Sequence, residues 1–169
     1  MQSFFIKLPL IILTVLGLFG SNEAFPQQAP NFKFDHSKQA AELNDNRGKV
    51  IYLDFWASWC QPCRKSFNWM NEMQAKYGNE GLTIIAVNLD TSKDKAKAFL
   101  KQLPANFKLA FDPEGDIAKA YDIRAMPSSF IIDQSGQVIH ANLGFHRKDE
   151  KQLEATILKS IRQAVVASR

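Results

Sequence analysis

The chain contains two cysteines, Cys60 and Cys63, separated by Gln61 and Pro62. A structural disulfide of an exported protein joins distant segments to restrict the unfolded chain, and a loop this short restricts very little. The spacing suits reversible chemistry instead. Ahead of the pair, the apolar run from Val50 to Trp56 reads as a buried strand, and Pro62 fits the first turn of a helix, where a missing N–H costs nothing. The unpaired N–H groups and the dipole at such a helix entrance favour negative charge. Cys60 is therefore expected to ionise below the free thiol value of about 8.5 and to act as the nucleophile. Cys63, one turn further in, is placed to resolve a mixed disulfide. Two inert core thiols are argued against by Gln61-Pro62, which mark a turn into a helix. A metal centre is argued against too: structural zinc takes four ligands, and His36, His140 and His146 show no ligand-like spacing to the thiols.

Asp54 lies inside the apolar strand. A buried carboxylate is costly unless it is protonated or paired, so its pKa is expected to rise toward neutrality. Such a group beside Cys63 could take that thiol's proton for the resolving step. Trp56 reads as packing beneath the site.

The elements that must position these residues follow from periodicity. The helix after Cys60 carries Phe67, Met70, Met73 and Tyr77 at spacings of three and four and is expected to end at Gly78. Residues 82–89 read as a second buried strand. Residues 93–102 read as a lysine-rich helix with Ala96, Phe99 and Leu100 inward, and residues 107–110 as a short strand. Asp112-Pro113-Glu114 is expected to start a helix running to about Tyr121. Strands at 128–132 and 137–142 flank a Gln134-Ser135-Gly136 hairpin, and a last helix carries Leu153, Ile157, Ile161 and Val165. The fold class is α/β: a mixed central sheet with helices on both faces and an antiparallel edge.

The chain of 169 residues has one domain's length and a net charge of +4. Its acidic and basic residues are interspersed, and no arginine cluster with interleaved aromatics points to nucleic acid. Lys7 precedes an uncharged run from Leu8 to Phe19. At about a dozen residues this is short for a membrane span of about 20 and suits a signal-peptide core. Residues 1–24 are read as an export signal or, if uncleaved, an anchor that is the chain's sole membrane contact. Asn22 stands where cleavage after Ala24 would prefer a small residue. Residues 25–31 read as a linker and 32–169 as the folded domain.

The stretch Leu53-Asp54-Phe55-Trp56-Ala57-Ser58-Trp59-Cys60-Gln61-Pro62-Cys63-Arg64 resembles the active-site segment of thioredoxins, and Tyr121 to Phe130 resembles their second signature, which ends in a cis-proline. The export signal, an insert around residues 91–111 and Phe111-Asp112-Pro113-Glu114-Gly115 are similar to the exported TlpA/ResA-like branch. The resemblance covers about residues 30–165 and implies a thioredoxin-like fold with a TlpA-type insert. It implies a cis bond before Pro127, a Met126 backbone that pairs with substrate, and an exposed Trp59 beside Cys60; Gln61 and Pro62 complete the substrate-binding set. Thioredoxins pair the buried aspartate with a lysine, and Ala86 matches that position. A glutamate frequent in the branch is Ser66 here and a proline is Asn68. The glycine-rich, glutamate-bearing segment of the cytochrome c maturation members is missing around Ala125 to Phe130, which argues against a dedicated role on apocytochrome c.

These readings lead to a protein-disulfide reductase whose partners are protein disulfides and a membrane electron donor. No cofactor beyond the Cys60–Cys63 disulfide is expected, and the location is periplasmic, free or tethered to the inner membrane. Gln-Pro between the cysteines is nearer the Gly-Pro of thioredoxins than the Pro-His of strong oxidants, which favours reduction. The rivals are an oxidase or isomerase of the same fold, a thioredoxin-fold peroxidase and a non-enzymatic copper carrier.

Overall fold

Val50–Trp56, buried at every position, is the strand around which the fold is organised. The computed structural model describes residues 27–36 and 39–167; the expected export signal lies outside them. In chain order the strands are β1 (Gln27–Gln28), β2 (Lys33–His36), β3 (Gln39–Glu42), β4 (Val50–Trp56), β5 (Leu82–Asn88), β6 (Lys108–Phe111), β7 (Ser128–Ile132) and β8 (Gln137–Leu143). The helices are α1 (Gln61–Tyr77), α2 (Lys93–Gln102), α3 (Asp116–Ala120) and α4 (Arg147–Ala167). One sheet runs in the order β1-β8-β7-β4-β5-β6, and β2 and β3 form a separate hairpin. β4 and β5 pair in parallel, as do β5 and β6, whereas β7 runs antiparallel to β4 and β8. β5 is fully buried like β4, which explains why both are continuous apolar runs rather than alternating ones.

Successive side chains of β4 point to opposite faces. On one face Tyr52 and Trp56 join Phe67, Met70 and Met73 of α1, Ala96 and Phe99 of α2, and Leu153 and Ile157 of α4 in one core. Its centre is aromatic: the Phe67 ring lies 4.7 Å from Trp56, 5.0 Å from Phe99 and 5.2 Å from Phe107 between centroids. On the other face Leu53 and Phe55 pack with Phe34, Leu43 and Tyr121. Three long helices thus share one face. The opposite face is covered by the β2–β3 hairpin, a single 3-10 turn at Leu43–Asn46 and the short helix α3, so helices lie on both faces of the sheet as expected, but unequally.

Two boundaries differ from expectation by more than a residue. The stretch Asp112-Pro113-Glu114-Gly115 is a turn, closed by the Gly115 N–H on the Asp112 carbonyl at 3.2 Å, with Gly115 at φ 79°. α3 begins only at Asp116. Asp112 still acts as a capping carboxylate, accepting the Ala118 N–H at 2.8 Å. Within the segment read as a linker, Gln27 and Gln28 pair with Val138 and Gln137 at the sheet edge.

Candidate active site

The parallel β4–β5 pair delivers the chain from Trp56 into α1, with Cys60 as N-cap and Cys63 in the first turn. The two sulfurs are bonded at 2.03 Å, with Cα atoms 5.4 Å apart. No side chain caps this helix end. The Cys60 N–H turns back to the Ala57 carbonyl at 3.0 Å. Pro62 has no N–H, so the first-turn donors left over are those of Gln61 and Cys63. A thiolate at Cys60 would sit against those donors and the positive end of the helix dipole. Cys60 is 4 % exposed and Cys63 is fully buried, so an incoming sulfur meets Cys60 first. Gln61 and Pro62 are exposed, and Trp59 projects with 66 % of its surface in solvent. Trp56 is fully buried between Phe67 and Phe99.

Asp54 alternates onto the same face of β4 as Tyr52 and Trp56, which share a core cluster with Cys63. It is 1 % exposed, and neither carboxylate oxygen has a hydrogen-bond partner. Its register neighbours are Ala86 on β5 and Ser129 on β7, so no cation stands beside it on either strand. Burial alone holds its pKa well above the ordinary carboxylate range. The Tyr52 hydroxyl and the Trp56 indole N–H complete the set of buried, unpartnered side-chain polar atoms among the described residues. All therefore fall on three successive inward positions of one strand, whose Tyr52 and Trp56 share a core cluster with the disulfide. Tyr52 is also held above the ordinary phenol range, by burial first and the Asp54 charge second. Native proteins leave few buried polar groups unpaired, and proton-handling sites are among the exceptions.

The second signature meets the first across the sheet. The Met126–Pro127 peptide is cis, Pro127 is buried, and Met126 is half-buried against the core that holds the cysteines. The Ser128 hydroxyl donates to the Ala125 carbonyl at 2.7 Å, and the Gly144 N–H to the Pro127 carbonyl at 2.7 Å. The second of these bonds joins the proline loop to the end of β8, where Leu143 pairs with Ser128 and is 67 % exposed. Trp59 and Leu143 are the two large exposed hydrophobic side chains among the described residues. Sequence reading missed Leu143, because only the pairing of β8 with β7 brings it to this end. It missed Asp90 as well, a buried carboxylate just past β5; its signal was a polar Asn88-Leu89-Asp90 end to an apolar strand, the end at which α/β sheets build sites. The branch glutamate position, Ser66, is buried, and its hydroxyl donates to the Cys63 carbonyl at 3.0 Å. Among the described residues no three His, Cys, Asp or Glu side chains gather as a metal-holding group.

Known proteins share this arrangement. The Redoxin family model matches residues 26–157. A thiol-disulfide oxidoreductase ResA of Bacillus cereus (strain ATCC 10987 / NRS 248) is 38 % identical over 146 residues, spanning 85 % of this chain and 83 % of the relative. The ResA of Bacillus subtilis (strain 168) is 32 % identical over 144 residues, 80 % of each chain. Among solved structures, a Chlorobium tepidum protein assigned as thiol:disulfide interchange protein DsbE superposes with a TM-score of 0.78 at 46 % identity, covering 80 % of this chain and 96 % of that one.

Proposed function

The chain belongs to the Redoxin family and is a ResA-like thiol–disulfide oxidoreductase of thioredoxin fold, and from that premise we propose that it reduces disulfides of exported proteins. The reading rests on one observation: a cysteine at an uncapped helix entrance is bonded to a buried cysteine that shares its core face with a carboxyl whose proton affinity burial raises. The Cys60 thiolate attacks a substrate sulfur, forms a mixed disulfide and releases the substrate's other sulfur as thiolate. Cys63 gives its proton to the Asp54 carboxylate, and its thiolate attacks the Cys60 sulfur. The second substrate thiolate leaves, and the Cys60–Cys63 disulfide remains. Two electrons pass to the substrate, and no cofactor beyond the dithiol is needed.

The exposed Trp59, Gln61 and Pro62 on one side, and Met126, Pro127 and Leu143 on the other, present the surface on which a substrate segment lies. Segment 1–24 serves as export signal or anchor, placing the domain outside the cytoplasm. No helix among the described residues is long and apolar enough to cross a membrane. In an oxidising compartment the disulfide must be re-reduced, and a membrane electron donor is the partner this requires. Equilibration with glutathione tests the direction. A potential near the thioredoxin value of about −270 mV is expected, and one near −120 mV would assign an oxidase instead. Cys60→Ser should abolish insulin reduction, and Cys63→Ala should trap mixed disulfides with exported proteins.

A further inference from the structure

We propose that Asp90 is a positioning residue for the dithiol: its carboxylate clamps Ser58, two residues before Cys60, and thereby holds the loop that presents Trp59 and tunes the reactivity of Cys60. The Ser58 N–H donates to Asp90 Oδ2 at 2.9 Å and the Ser58 hydroxyl to Oδ1 at 2.9 Å, so both oxygens grip one residue from 32 positions away. Asn88 Nδ2 donates to Oδ2 at 2.8 Å, and the Asp90 N–H returns to Asn88 Oδ1 at 3.1 Å, which locks the carboxylate's orientation. Asp90 is 4 % exposed, while Ser58 is only half-buried. Charge-assisted bonds of this kind are stronger than neutral ones. The same segment is pinned once more, by the Leu89 N–H on the Trp56 carbonyl at 2.9 Å. The end of β5 therefore carries the loop that carries the nucleophile.

A neutral side chain could have served structure alone. This one brings a negative charge to a residue that lies at most about 7 Å of backbone from Cys60. At roughly 10 Å, that charge raises a thiol's pKa by between about 0.3 and about 1 unit, depending on the effective dielectric. The clamp also matters unequally in the two redox states. In the disulfide form Cys63 also tethers Cys60; in the dithiol form that tether is gone, and the clamp together with the Leu89–Trp56 bond keeps Cys60 in place for Cys63, which favours closure of the disulfide. Charge and clamp act in the same direction, both favouring the disulfide. Other charged groups on the surrounding elements are Arg64 on α1, held by Gln102 and the Phe99 ring, Asp54 on β4, and the exposed Asp122–Arg124 pair ahead of Pro127. Substitution at 58 or 90 leaves all of them in place.

The proposal rests on Cys60 being the nucleophile and not on the direction of catalysis. The test measures Cys60 ionisation by alkylation rate against pH, and the dithiol–disulfide equilibrium against glutathione, in the full folded domain. Asp90→Asn should lower the Cys60 pKa by a few tenths to about one unit and shift the equilibrium toward dithiol by up to about tenfold, or about 30 mV. Ser58→Ala keeps the charge and removes one of its donors, so it should leave the Cys60 pKa unchanged or slightly raised while loosening Trp59, read by fluorescence anisotropy. Ser58→Thr, which retains the hydroxyl, should restore the anisotropy. If Asp90→Asn lowers only thermal stability and moves neither pKa nor equilibrium, the proposal is wrong. Should Asp90→Asn fail to fold, an unchanged Trp59 anisotropy in Ser58→Ala overturns it. An ordinary thiol pKa in the unsubstituted protein would instead remove the reading of Cys60 as nucleophile.

Discussion

Replacing Asp54 by asparagine isolates the energetic consequence of burying an unpaired acid. Asp54 is 1 % exposed, faces no cation on either neighbouring strand, and is held well above its ordinary range by burial. Its folded-state pKa therefore exceeds the unfolded value of about 3.9. Between those two values the native state binds more protons than the unfolded chain, so stability falls as pH rises. The contribution is fully present below the unfolded value and is lost progressively as pH climbs toward the folded one, at a slope approaching 1.4 kcal/mol per pH unit. Asparagine has the same shape and no such slope. Subtracting the two urea denaturation profiles, both with the disulfide intact, cancels the other carboxyl groups. The stability of the variant relative to the parent should be flat below about pH 4, rise by about 1.4 kcal/mol per unit above it, and level off once the native carboxyl has ionised. In midpoint terms each unit corresponds to roughly 0.5–1.4 M urea, well within measurement. A difference that stays constant from pH 4 to pH 8 would show that Asp54 is solvated or paired after all, and would remove the basis for its role as proton acceptor.

The same substitution should slow resolution of the mixed disulfide by about 10²-fold, with the first attack by Cys60 nearly unchanged; stopped-flow detection of an accumulating mixed disulfide distinguishes the two steps. Phe67→Ala removes the ring at the centre of the Trp56–Phe99–Phe107 cluster and should cost about 3–5 kcal/mol, read as a lower urea midpoint. Leu143→Ala removes a large exposed apolar side chain beside the Pro127 loop. It should raise KM for a protein disulfide severalfold while leaving the rate with a small disulfide such as cystine unchanged, because only a larger substrate reaches that side of the site.

Local pattern determined a great deal of this protein. The buried runs that became β4 and β5, the three-and-four spacing of Phe67, Met70 and Met73 in α1, and the Cys60–Cys63 pair at a strand-to-helix junction are short-range features, readable because each element's periodicity lies within a few residues. Asp54 was legible for the same reason: a carboxylate amid apolar neighbours on a strand is conspicuous in one dimension. The match of Ala86 to a lost lysine depended on resemblance, and the β4–β5 register then placed Ala86 opposite Asp54. Turn chemistry marked the stretch before α3 but not its exact boundary, since Pro113 and Gly115 can open a helix or precede it, and Gly115 at φ 79° decided for a turn. What only the tertiary structure settled is which distant groups meet. Periodicity gives a helix an apolar face without saying which side of the sheet it covers, and it gives a strand end no partner. Seating β5 beside β4 brought the Asp90 carboxylate to Ser58, and pairing β8 with β7 brought Leu143 to the Pro127 loop. Such contacts arise from packing across tens of residues of chain, and no local pattern encodes them.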